Sequence, residues 1–380
     1  MSKDSYSDFI DLCKKSIAER KSMEREPLAD SVAVRSAQMG RLNTTLRRSI
    51  DNLEEELCRF EKNFVAAGGN VFWANSYKEV HEQMRAVIVE GKYRTATFID
   101  SSDTLLFNEL GMDYFMKDEK VTLCEEGQLQ LMVADMMVAD TGSLLLLNKD
   151  KDYLKALNNN AVNVFFVTID RLLSCATYAE AYAKAAGDRG RKNTGIPFAT
   201  FGGSPHCETI VFIVNNQRTE LLSHKRQRQI LSCLSCGRCE EVCPVDNVIG
   251  KEPYDNVFTG PTGRVMLPFM ESLEEYRHIV FACTMCGRCE EVCPIMLPIR
   301  DMIMASRREF FEKGHIDSRI DGMLTKYRKY VMDRHKMNKS SWMKQQVFSS
   351  HLSHEIKDAR QLPHFESKTF NEQYIEEHSK

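Results

Sequence analysis

The chain has 380 residues, with 51 Lys and Arg against 54 Asp and Glu, a formal net charge of −3, and a composition 43% hydrophobic and 28% charged. This is the balance of a globular protein long enough for two or three domains, and it excludes the basic footprint of a nucleic-acid binder. The segment Met1 to Lys21 alternates charges with single apolar residues, so no signal peptide is expected. No apolar run approaches the roughly 18 residues that cross a bilayer, so the expectation is a cytoplasmic protein without direct membrane insertion.

In chain order, residues 1–40 are expected to form an N-terminal helical extension. Ile50, Leu53, Leu57, Phe60 and Phe64 then recur at helical spacing through a helix expected over Leu42–Ala67, which Gly68-Gly69 stops. A short strand is expected at Val71–Ala74, a helix at Tyr77–Val89 and a second strand at Thr95–Ile99. The apolar, β-rich runs Leu144–Leu147, Ala161–Thr168 and Thr209–Val214 read as buried parallel strands, with Arg171–Ala186 helical between the last two. Strands alternating with helices predict an α/β domain with a mostly parallel sheet over 41–218. Residues 219–312 carry almost no β signal and predict an all-α domain. The tail, 313–380, is polar and expected to be helical and irregular.

Thirteen cysteines would be many for a reducing compartment if spread evenly, but eight fall in two tight groups. Residues 233–244 read C-L-S-C-G-R-C-E-E-V-C-P and residues 283–294 read C-T-M-C-G-R-C-E-E-V-C-P. Each run is C-x₂-C-x₂-C-x₃-C-P, the spacing with which three thiolates wrap three irons of a cubane; in two-cluster ferredoxins the fourth cysteine binds the other cluster. The pattern predicts two [4Fe–4S] clusters, one on Cys233, Cys236, Cys239 and Cys293, the other on Cys283, Cys286, Cys289 and Cys243. Gly237 and Gly287 are expected to let the backbone bend close to the sulfurs where a side chain would crowd them, and Pro244 and Pro294 to fix φ past the fourth ligand. The competing reading is zinc, which takes two C-x₂-C knuckles a dozen or more residues apart, with four ligands on one ion. Arg238, Glu240 and Glu241, repeated as Arg288, Glu290 and Glu291, read either as tuning or docking charges or as a solvated helix face. Of the scattered cysteines, Cys13, Cys58, Cys124 and Cys175 are expected to be small core residues.

Residues 250–268, G-K-E-P-Y-D-N-V-F-T-G-P-T-G-R-V-M-L-P, resemble the inter-cluster linker of the lactate-utilisation protein B family. So do the approach Val211–Arg218 and the continuation P-I-M-L-P-I-R-D-M-I-M-A-S-R-R after the second run. Upstream, Ala67–Ala74 and Val138–Ser143 are similar to the family's LUD domain, and the closing Leu362-Pro363 and Lys368–Asn371 to its end. The resemblance implies a LUD α/β fold, like CoA transferases and sugar isomerases, followed by the ferredoxin-type domain. It also implies one subunit of a system oxidising L-lactate to pyruvate, with a cysteine-rich CCG-domain protein and a second LUD-domain protein as partners. The departures are a missing block between Ile99 and Asp140, the short Asp100-Ser101-Ser102-Asp103, and Asn148–Asp152 where the family has a different run; they put the LUD pocket in doubt.

Two smaller sets complete the candidates. Asp140-Thr141-Gly142-Ser143 has the backbone and hydroxyl groups to bind a small carboxylate or a phosphate, and also the composition of an ordinary turn. Gly203 and Ser204, in G-G-S-P-H-C-E, read as an anion-contacting loop or a plain turn. A Cys207–His206–Glu208 nucleophilic set is disfavoured, because sequence neighbours diverge. No G-x-G-x-x-G fingerprint is present. The reading is therefore an iron–sulfur electron-transfer subunit of an oxidoreductase complex, not catalytic alone. Its rivals are an electron-wire subunit of another dehydrogenase or of a heterodisulfide-reductase-like complex, and a LUD-type ligand-binding regulator with structural clusters.

Overall fold

The computed structural model describes residues 37–98, 110–123, 128–147, 162–186, 198–202, 208–254, 256 and 258–314, with scattered positions at 322, 325–326, 328–329 and 332–333, then 368 and 370–378. The chain divides into two compact units, one up to Lys313 and one from Gly314 onward. Of the second, the helix Phe370–His378 is described.

The first unit opens with helices α1 (Ala37–Asp51) and α2 (Leu53–Ala66), then β1 (Asn70–Ala74), α3 (Tyr77–Gly91) and β2 (Thr95–Phe98). Next come α4 (Met112–Asp118), β3 (Thr122–Leu123), β4 (Leu129–Val133), β5 (Met136–Val138), β6 (Ser143–Leu147), β7 (Val162–Thr168) and β8 (Leu172–Leu173). A 3₁₀ turn at Ala176–Tyr178, α5 (Ala179–Ala186), β9 (Phe198–Gly202) and β10 (Thr209–Val214) close the α/β part. Six strands form a wholly parallel sheet in the order β1-β10-β7-β4-β2-β3. Parallel sheets are covered on both faces, and β10 carries this in its side chains. Ile210, Phe212 and Val214 pack with Val80, Met84 and Ile88 of α3, while Val211 and Ile213 join a second core with Leu46 of α1 and Phe60 of α2. Ser76 caps α3 by accepting from the Glu79 N–H at 3.3 Å, which satisfies one of the free donors of the first turn.

Four further strands form a smaller sheet in the order β8-β5-β6-β9. Here the sequence reading needs correction. The run Leu144–Leu147 was expected to be a parallel strand, yet β6 pairs antiparallel with both β5 and β9. A short run buried on both faces carries no direction signal, and the tight turn after Val138 brings the chain straight back. Within Arg171–Ala186 only the last eight residues are α-helical; Leu172 and Leu173 pair with Met137 and Val138 instead. The helix expected from Leu42 starts at Ala37 and is interrupted at Asn52.

Past β10 the chain is helical: α6 (Arg218–Ser223), a 3₁₀ turn at Gln227–Ser232, α7 (Arg238–Glu241), α8 (Asp246–Ile249) and a 3₁₀ turn at Glu252–Tyr254. Then follow α9 (Gly260–Met270), α10 (Arg277–Phe281), α11 (Arg288–Glu291) and α12 (Ile299–Glu312). The core that begins under the sheet runs on without a break into Val265, Leu267, Ile279 and Met302, so the cysteine-rich region packs against the α/β layers inside one unit. A buried ion pair marks the junction: the Arg218 Nε lies 2.8 Å from Asp170 Oδ1. Among the described residues no helix is long and apolar enough to cross a membrane.

Candidate metal centre

The two cysteine runs fold alike. Each begins as an extended loop, turns through a left-handed residue (Ser235, φ +49°; Met285, φ +60°) and then a left-handed glycine (Gly237, φ +74°; Gly287, φ +83°), and enters a one-turn helix, α7 or α11. The glycines are explained by these angles, which cost an L-residue about 1–2 kcal/mol. Beyond the adjacent residues, a Cβ on Gly237 would meet no protein atom within 4 Å, and one on Gly287 would make ordinary contact with Arg300. The turn aims backbone donors at sulfur. The Ser235 N–H donates to Cys233 Sγ and the Met285 N–H to Cys283 Sγ, both at 3.4 Å, and the Leu297 N–H donates to Cys293 Sγ at 3.3 Å.

The thiols gather across the repeats. Cys239 interacts electrostatically with Cys233, Cys236 and Cys293, and more weakly with Cys289 of the other run, while Cys233 feels Cys236 and Cys293. Cys289 feels Cys283, Cys243 and Cys286. The last group also lines a common pocket: Cys243, Cys283, Cys286 and Cys289 face it together with Arg264 and Arg300. Burial first, and neighbouring sulfurs second, push Cys233 and Cys289 up to about 12 and Cys239 well above the usual thiol value. Burial also raises Cys243 and Cys293. A metal taking these ligands must therefore displace protons, and its binding is coupled to folding. All eight are free thiols. Among the described residues no three His, Cys, Asp or Glu side chains converge on the position of a single ion. Soft thiolates in two groups of four, each with backbone donors on sulfur, are a donor set that fits [4Fe–4S] clusters.

Charged groups frame both loops. Arg171, in the turn after β7, donates to the Cys233 carbonyl at 3.2 Å and to Ser235 Oγ, so the α/β part holds the first loop directly. Arg307 of α12 donates to the Cys283 carbonyl at 2.5 Å and the Val280 carbonyl at 3.0 Å. Arg264 of α9 is fully buried, donates to Cys243 Sγ at 3.4 Å, and forms a forked pair with Asp246. Burial would lower the Arg264 pKa, but Tyr254, Asp246 and Cys243 outweigh it and hold the guanidinium above its ordinary value. The first glutamate of each repeated E-E pair is tied down, while Glu241 and Glu291 are exposed. Glu240 accepts from Thr259 Oγ1 at 3.1 Å and pairs with Lys251 at 3.0 Å, and Glu290 accepts from the Arg300 N–H at 2.7 Å. Sequence reasoning missed Arg171, Arg264 and Arg307, because isolated arginines carry no spacing signal; Arg264 did stand inside the linker G-P-T-G-R.

The Asp140–Ser143 turn is held by hydrogen bonds to neighbouring segments. Asp140 accepts from the Ala176 N–H at 3.0 Å, Thr141 and Ser143 share a hydroxyl hydrogen bond of 2.6 Å, and Asn63 donates to the Ala139 carbonyl at 2.8 Å. Gly142 (φ +60°) is pressed on α2, where a Cβ would lie 2.4 Å from the Asn63 backbone. Gly203 and Ser204 lie outside the described residues, as do Cys13, Cys124 and Cys207. Cys58 is exposed, not a core residue, because it falls on the outer face of α2; Cys175 is half-buried and bonded to Thr177.

Comparison with known proteins bears on both halves. Residues 217–297 match the 4Fe-4S dicluster domain family. The chain is similar to lactate utilization protein B from Exiguobacterium sp., at 22% identity over 70% of this chain and 70% of that protein. Lactate utilization protein B from Bacillus velezensis aligns with the same identity and coverage. The uncharacterized electron transport protein YkgF from Escherichia coli is 25% identical over 47% of this chain and 39% of its own length. The crystal structure of a DUF162 family protein from Deinococcus radiodurans superposes on 43% of this chain and 98% of its own, with TM-score 0.31 and 15% identity.

Proposed function

We propose that this chain is the iron–sulfur electron-transfer subunit of a cytoplasmic redox complex that oxidises L-lactate to pyruvate. It holds one [4Fe–4S] cluster on Cys233, Cys236, Cys239 and Cys293 and a second on Cys283, Cys286, Cys289 and Cys243. The observation that carries the reading is the grouping of each fourth cysteine with the thiols of the opposite run. When bound, such clusters supply one-electron transfer. The protein's residues do the rest. Gly237 and Gly287 turn the loops, backbone N–H groups neutralise sulfur charge, and α7 and α11 bind the runs into one body. The α/β part braces the first loop through Arg171.

The lactate assignment rests on the similarity to lactate utilization protein B. Removal of an electron pair from lactate is assigned to partners, a cysteine-rich CCG-domain protein and a second LUD-domain protein, since the chain carries no dinucleotide fingerprint. Two experiments test this. Purifying the full chain anaerobically with its associated proteins should bring down a CCG-domain partner; another dehydrogenase in its place would refute the lactate assignment while leaving the carrier role. Iron analysis and EPR of Cys293→Ser and Cys243→Ser should show Cys293→Ser disturbing the cluster on the first run and Cys243→Ser the cluster on the second. Each substitution damaging its own run instead would refute the crossed ligation.

A further inference from the structure

Arg264 is fully buried, and Asp246 beside it is 3% exposed. Its Nη2 donates to Asp246 Oδ1 at 2.6 Å, its Nη1 to Asp246 Oδ2 at 3.1 Å and to Cys243 Sγ at 3.4 Å, and its Nε to the Ile279 carbonyl at 3.1 Å. The Tyr254 hydroxyl donates to the same Asp246 Oδ1 at 2.6 Å, and the guanidinium lies 5.6 Å from the centre of the Tyr254 ring. Four donations from one buried cation thus come from one fixed position, gripped by α8, α10 and the 3₁₀ turn before α9.

A staple between helices would need no charge. A buried ion pair gains little over apolar side chains of the same volume, so stability alone is a weak reason to keep one here. The distinguishing contact is the N–H on Cys243 sulfur. Hydrogen bonds to ligand sulfurs and nearby charge are the main levers a protein has on cluster potential, because each added electron increases negative charge that a donor at sulfur stabilises. Asp246 works in the other direction, as an anion against the same sulfur.

We infer that Arg264 sets the reduction potential of the cluster on the second cysteine run through its N–H on Cys243 Sγ, with Asp246 fixing the guanidinium and limiting its charge, and the Tyr254 hydroxyl offsetting part of the Asp246 charge. One electron is gained in the step, and no bond is made or broken. The inference rests on the proposed ligation by Cys243.

The test is an EPR-monitored dithionite titration of the anaerobically purified full chain, with iron counted in every sample. Arg264→Gln removes the cation and leaves the anion, and should lower the potential of the second-run cluster enough to cut its reduced-to-oxidised ratio tenfold at fixed poise, about 59 mV for one electron. Asp246→Asn leaves the cation uncompensated and should raise it. Opposite signs are what a purely structural role does not produce. Tyr254→Phe keeps the ring and should give a smaller downward shift. Loaded variants with unchanged potentials, or with shifts of one sign in Arg264→Gln and Asp246→Asn, overturn the inference. If those two variants fail to hold iron, Tyr254→Phe decides: a downward shift supports the inference and a wild-type potential overturns it. A wild-type chain without a cluster at Cys243 brings down the ligand assignment itself, which iron analysis separates from the other failures.

Discussion

Replacing Asp170 by Ala strands a cation where water cannot reach it. Asp170 and Arg218 are 7% and 4% exposed and stand 2.8 Å apart. At an effective dielectric of about 20, two unit charges at that distance attract by about 6 kcal/mol, of which desolvation takes back most. Removing one partner forfeits the attraction and keeps the desolvation of the other, a loss of roughly 3–5 kcal/mol. Arg218 keeps the Asn215 and Asn216 carbonyls at 3.5 and 3.4 Å and the face of Phe258, none of which carries a compensating negative charge. For a unit of this size, at roughly 2 °C per kcal/mol, the thermal midpoint should fall by about 6–10 °C in a circular-dichroism melt. Because Arg171 follows directly and holds the Cys233 loop, visible absorbance from the first-run cluster should bleach at the same lowered temperature. Asp170→Leu combined with Arg218→Met should recover most of the loss, since an apolar pair leaves no charge behind. A fall of less than about 2 °C for Asp170→Ala would refute the reasoning that this junction is an enclosed ion pair.

Two other outcomes follow from local geometry. Gly142→Ala meets both a left-handed φ and the Asn63 backbone at 2.4 Å, whereas Gly237→Ala meets the angle alone. The first should cost more than about 3 kcal/mol and the second about 1–2 kcal/mol by melting, and equal losses would contradict the packing of the turn on α2. Burial, opposed in part by hydrogen bonds to backbone carbonyls, holds the His278 imidazole below its ordinary 6.5, so the folded state favours the neutral ring. Its contribution is intact above 6.5 and lost as pH falls from there through the lower folded value. Melting between about pH 7 and about pH 5 should therefore show a shallower acid loss in His278→Gln than in the unsubstituted chain, and identical slopes would exclude the effect.

The parts visible from sequence are those with a period or a fixed spacing. Val71–Ala74, Ala161–Thr168 and Thr209–Val214 are apolar, β-rich and flanked by polar residues, and they form three neighbouring strands of the parallel sheet, β7 and β10 inside it and β1 on its edge. The cysteine repeat declares its chemistry through gaps of two, two and three residues. What stayed hidden is set by contacts distant in sequence. Leu172 and Leu173 enter the small sheet because Met137 and Val138 offer an open edge, which a helical reading of 171–186 has no means of registering. β4 and β5, L-Q-L-M-V and M-M-V, were missed because methionine-rich runs signal strand weakly. The arginines that touch the cysteine loops come from β7–β8, α9 and α12, so only folding reveals them as one shell.

The central claim is that this chain carries electrons on two [4Fe–4S] clusters, and reductive titration of the anaerobically purified full chain followed by EPR tests it most directly. The account predicts four irons for each of two clusters, and two reversible one-electron reductions within the range of biological donors. Zinc in place of iron, or clusters that resist reversible reduction, would contradict it.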